Sequence, residues 1–162
     1  MKRIVTKIGN VFCVKLDENR KRYFQYIAND WCDLNSSTIR VFKTDYPIDS
    51  EPSIEEIVSD EVEFYSHTIL KFGIQDGLWE KVGKSSDVGC LDSIMFRSTI
   101  DIDPSTLKSY NWYVWKLGDE DSCSIGELNE EYAQLSDFGS VFPPECIVDR
   151  IKNHKWPYAM PH

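Results

Sequence analysis

Histidine, paired cysteine and long apolar runs are what this chain has least of. Three histidines stand in 162 residues: His67 inside a strand-like stretch, His154 at the end of a helical one, and His162 last. No two are spaced to share a metal, so no metal site is expected, and no motif calls for any other cofactor. The five cysteines, Cys13, Cys32, Cys90, Cys123 and Cys146, are odd in number and never fall as Cys-x-x-Cys. That pattern argues against a disulfide frame or a zinc knuckle and fits reduced thiols in a cytoplasmic protein. No apolar run approaches 18 residues, so no helix is expected to span a membrane. The opening MKRIVTKIGN has basic residues without an apolar segment behind them, so a secretory signal is not expected. Asn35-Ser36-Ser37 is then read as a turn rather than a glycosylation site.

Catalytic motifs are missing too. There is no Gly-x-Ser-x-Gly elbow and no His-Glu-x-x-His. Gly83-Lys84-Ser85 ends like a phosphate loop, but Leu78 stands where the upstream glycine belongs. Asp119-Glu120-Asp121 opens like a calcium loop, yet Ser124 occupies the position that needs glycine. Asp101 and Asp103 would share a face on a strand, but Asp103-Pro104-Ser105 reads better as a turn or helix start. No catalytic residues are assigned, and the chain is not expected to be an enzyme.

What is present is a core and a charge imbalance. Hydrophobic residues make up 41% of the sequence, enough for one domain over 1–162 without a staple. The 18 basic and 27 acidic residues leave a net charge of −9. Residues 1–43 hold nine Lys/Arg against four Asp/Glu, so the later segments carry all of the excess acid. A net negative chain disfavours anionic membranes and nucleic acid and suits a basic partner.

Strand signals dominate the first two-thirds. Residues 3–8 and 11–16 read as strands around Gly9-Asn10, and 22–28 follows the polar turn 17–20 as the other half of a hairpin. Residues 38–43, 62–70 and 111–117 are further strands, with shorter ones at 78–83 and 93–96. Ser53-Ile54-Glu55-Glu56 is a capping box that predicts a helix over 53–60. A second capping box at Ser124–Glu127, with Leu128, Tyr132 and Leu135 at helical spacing, predicts a helix there. Pro143-Pro144 opens a third, with Ile147, Val148 and Ile151 on one face. The fold class is α+β: a twisted antiparallel sheet or partly closed β-barrel with two or three short helices, mainly in the C-terminal third.

Two acidic clusters are candidate partner contacts: Glu51, Glu55 and Glu56 at a helix start, and Asp119, Glu120 and Asp121 in a turn. Five tryptophans offer anchors. Trp79 is read as core. Trp112 and Trp115 differ by three positions and face opposite ways on a strand, so at most one is expected in the core and the other near a surface beside the acidic turn. Two other classes compete. A nucleic-acid-binding barrel would use Lys15, Arg20, Lys21, Arg22 and Tyr23. A small-ligand or enzymatic sheet would use Asp101, Asp103 and His67.

The stretch Lys7-Ile8-Gly9-Asn10-Val11-Phe12-Cys13-Val14-Lys15-Leu16, followed by Tyr23-Phe24-Gln25-Tyr26-Ile27, resembles the opening of the family called immunity protein 26. Gly77-Leu78-Trp79-Glu80-Lys81-Val82-Gly83 is similar to that family's Gly-x-Trp-x-x-Ile-Gly segment. Together they cover about a quarter of the chain. Asn10 stands in place of the usual Asp, and Arg22 and Tyr26 alter small positions of the second strand. The resemblance implies an antitoxin of a bacterial polymorphic toxin system. Such a protein is cytoplasmic, carries no catalytic residues, and binds its cognate toxin directly. An acidic antitoxin suits a basic toxin such as a nuclease. The sequence leaves the toxin's identity and the oligomeric state open.

Overall fold

The computed structural model describes residues 2–162. Two sheets carry the strands. The larger contains β1 (Asn10–Lys15), β2 (Arg20–Asp30), β3 (Ser36–Phe42), β4 (Tyr46–Pro47), β5 (Val62–Thr68), β6 (Glu80–Lys84) and β11 (Val141–Phe142). Its order is β11-β5-β3-β2-β1-β6, with β4 paired to the start of β2. The smaller holds β7 (Met95–Thr99), β8 (Trp112–Lys116), β9 (Cys123–Gly126) and β10 (Ser136–Phe138) in the order β10-β7-β8-β9. Most pairings are antiparallel; β11 on β5 and β10 on β7 are parallel. Four short helices accompany them: α1 (Ile54–Val58), α2 (Leu70–Gln75), α3 (Glu130–Leu135) and α4 (Pro144–Asn153). Neither sheet closes, so the class is α+β with open sheets rather than a barrel.

Strands β1 to β3 are central, and both of their faces are covered. Register places Phe12 opposite Phe24, Phe24 opposite Val41, and Val41 opposite Phe64. This row faces α2 and α4, where Ile147 and Ile151 are buried against it. The Phe12 and Phe24 rings stack at 5.1 Å, and Trp79 meets Phe24 edge-on at the same separation. On the opposite face, α1 lays Ile57 and Val58 over Val11, Cys13, Tyr23 and Phe42. Farther along that face the smaller sheet takes over, packing Phe96 and Trp115 against Ile27.

Several sequence-based expectations are corrected. Residues 3–8 form no strand; Gly9 takes φ 101° and the Lys7–Asn10 turn closes on itself through two hydrogen bonds. The expected strand 62–70 stops at Thr68, because Leu70 starts α2, whose Gly73 lies so close to the Trp79 ring that any Cβ there would collide with it. The Ser124–Glu127 capping box starts no helix: Cys123–Gly126 is β9, and α3 is capped instead by Asn129, whose Oδ1 accepts from Tyr132 N at 2.9 Å. The Ser53 cap does form, with Glu56 N donating to its Oγ at 3.1 Å. Trp112 and Trp115 are both in the core, 0% and 5% exposed. A strand presents them to opposite faces, as expected, but both faces of β8 are covered. Trp115 lies against the large sheet, while Trp112 lies near the Phe138 ring and donates to Ser109 O.

Candidate functional site

The second strand ends in a device built from local chemistry. Asp30 caps a single turn of 3-10 helix, Trp31–Asp33, accepting from Cys32 N with one oxygen. Leu34 and Asn35 then both take left-handed backbone, φ 59° and 51°. Asparagine tolerates that region; leucine does so at a cost. The result is an exposed knuckle: Trp31 is 67% exposed and Leu34 86%.

The acidic turn lies against it. Gly118, at φ 95°, reverses the chain between β8 and β9, and Asp119 closes the turn by accepting from Lys116 N at 3.0 Å. Cys32 Sγ donates to the Asp119 carbonyl at 3.1 Å, which places the Trp31 turn and the Asp119–Asp121 turn side by side. Asp119, Glu120 and Asp121 are all exposed. Burial, followed by the nearby charges of Asp30, Asp119, Asp121 and Asp33, pushes the Cys32 thiol up, so it stays protonated at neutral pH. Two bulky apolar tips beside three carboxylates make a surface that can accept a partner's apolar pocket and its basic rim.

Beneath the knuckle lies a buried polar centre. Asp30 Oδ2 accepts from Trp115 Nε1 at 2.8 Å and stands 2.8 Å from His67 Nε2. The other ring nitrogen of His67 is 3.1 Å from Asp33 Oδ2, without the geometry of a hydrogen bond. Burial raises the Asp33 carboxyl despite the imidazole beside it. His67 and Asp30 are both fully enclosed, and the imidazole sits 4.2 Å from the Phe96 ring. The structure does not bring His67 together with Asp101 and Asp103. Asp101 accepts from Thr99, Ser109 and Asn111, and Asp103 caps a turn through Ser105 and Thr106.

The remaining candidates scatter. Glu51, Glu55 and Glu56 are exposed at the start of α1, on a different part of the fold from the acidic turn. The basic set is mostly consumed internally. Arg22 is 1% exposed between Asp45 and Glu63, Arg20 pairs with Asp17 and Asp45, Lys21 donates to Ser50 O, and Tyr23 is buried. Lys15 alone of those five is left exposed with no ion pair or side-chain hydrogen bond among the described residues. A stacking platform in a basic groove is therefore not what these residues build.

Trp31 and Leu34 were not singled out by pattern. A Leu inside Asp33-Leu34-Asn35-Ser36, a run of turn formers, is the signal that could have found them.

Among the described residues no helix is long and apolar enough to cross a membrane, and no cluster of His, Cys, Asp and Glu could hold a metal ion. No family model, curated protein or solved structure matches the chain.

Proposed function

We propose that this chain is a non-catalytic immunity protein, which captures a basic toxin domain in the bacterial cytoplasm and neutralises it by direct contact. The observation that carries the reading is the exposed Trp31–Leu34 knuckle flanked by Asp119, Glu120 and Asp121. Exposed Trp and Leu held in a strained turn are costly in a free protein and useful as anchors. Carboxylates around them attract a cationic partner and speed its arrival. The resemblance of residues 7–27 and 77–83 to immunity protein 26 supplies the class of partner, and the charge supplies its sign.

The test uses the toxin domain encoded by the adjacent reading frame. Trp31→Ala should accelerate dissociation, costing about 2 kcal/mol or more in affinity, as a central aromatic anchor does. Replacing Asp119, Glu120 and Asp121 by Asn, Gln and Asn should slow association and flatten its dependence on salt. If Trp31→Ala and the triple variant both bind with wild-type rates, the face is misassigned. If the adjacent domain does not bind the wild-type chain at all, the function is wrong.

A further inference from the structure

The net charge of the chain is −9, yet one cavity is walled by cations. It encloses about 600 Å³ where the N-terminal segment, the end of β1, the start of β6, α2 and α4 meet. Lys2, Arg3, Lys15, Lys81 and Lys152 line it against a single acid, Glu80. Among the described residues none of these five cations has a carboxylate within ion-pair distance. Lys81 Nζ instead donates to Val5 O at 3.1 Å, pinning the N-terminal segment along the rim. Inward lie apolar groups: Ile74, Leu78, Trp79 and Val148.

Like charges gathered around one opening repel each other, and an anion placed among them relieves that repulsion. The volume is in the range of small-molecule sites, which pair an apolar body with a few convergent polar groups. We propose that this cavity binds a small amphipathic anion. Its alkyl chain lies on the Leu78, Trp79 and Val148 floor, and its terminal carboxylate or phosphate meets the cations of the rim. The site is built from different elements than the Trp31 knuckle, so it stands independently of the partner reading.

The indole of Trp79 reports on occupancy, because its Nε1 is held by Leu70 O at 3.1 Å and gives one defined proton resonance. Decanoate, decyl phosphate, hexanoate and decanol would each be titrated into the full chain below their aggregation range. Decanoate or decyl phosphate should shift the Trp79 resonance saturably, and whichever binds more tightly identifies the headgroup. Decanol should bind at least about tenfold more weakly. Hexanoate should also be at least about tenfold weaker than decanoate, since each buried methylene is worth about fourfold. Lys15→Glu with Lys152→Glu, both exposed and unpaired, should weaken the anions about tenfold and leave decanol unchanged. Equal affinity for decanol and decanoate overturns the proposal, as do no saturable shift and unaltered anion binding in the double variant. Binding only to phosphatidylglycerol vesicles overturns it too, assigning the rim to a membrane surface.

Discussion

Asp30 shows how much one carboxylate can carry. A single oxygen serves Trp115 of the small sheet and His67 of the large one, 85 and 37 residues away in sequence. Asp30→Ala would leave a buried indole N–H without its acceptor and a buried imidazole without its partner, so it should cost about 3 kcal/mol or more in urea unfolding. A loss under about 1 kcal/mol would show that the two sheets do not depend on it. Asp30 was invisible in the sequence, where a lone Asp before Trp31 looks like turn chemistry and its partners are remote. Asp101 differs, because its partners are near. Hydrogen bonds from Ser109, then Asn111 and Thr99, hold its carboxyl down at about 2. A carboxylate lowered in the folded state stabilises above its unfolded pKa and loses that contribution as pH falls through the folded value. The penalty of Asp101→Asn should therefore be present at pH 5 and shrink as pH falls from about 4 to about 2. Denaturant midpoints of wild type and variant across that window decide it, and parallel curves would refute it.

At the scale of elements, the hairpin of β1 and β2 was legible because its apolar run and polar turn are contiguous. Phe12→Ala removes a ring stacked on Phe24 and buried at 0% exposure, so it should cost about 3–5 kcal/mol. The amides of 11–16 and 22–28 should then be among the slowest to exchange. Helix starts were legible only in part. Two stretches carried the same Ser-x-x-Glu pattern, and only Ser53 caps a helix. At Ser124 the strand β8 was already waiting as a partner, and pairing with it outweighed a short-range cap. The two caps can be separated by measurement. Asn129→Ala should destabilise by about 1 kcal/mol, whereas Ser124→Ala, at an exposed strand position, should change stability by less than about 0.5 kcal/mol. The helix α2 escaped notice because it is six residues long and starts without a side-chain cap.

Over the whole molecule, the uneven charge seen in the sequence becomes spatial. The excess acid includes the turn beside Trp31, and three bases of the N-terminal third, Lys2, Arg3 and Lys15, line the cavity together with Lys81 and Lys152. Steering by charge is local, since screening limits it to about 10 Å at 0.1 M salt. On the proposed reading as an immunity protein, neutralising Glu51, Glu55 and Glu56 on α1 should therefore change the association rate with a basic toxin domain less than neutralising Asp119, Glu120 and Asp121. Equal effects, read as rate against ionic strength, would mean that net charge rather than a face governs capture. What the sequence could not reveal was which aromatic stays outside. That depends on the small sheet being covered on both sides, which encloses Trp112 and Trp115 and leaves Trp31 exposed. The open margins of the large sheet bear on something else. One margin is β11, two residues long; the other is β6, written Glu80-Lys81-Val82-Gly83-Lys84 and therefore guarded by charge. A free strand edge is a template for endless stacking of copies, and brevity or lysine on the edge prevents it. Lys81→Val with Lys84→Val would strip that guard. A solution of the wild-type chain should stay clear at high concentration, while the double variant should thicken into fibres that bind thioflavin T.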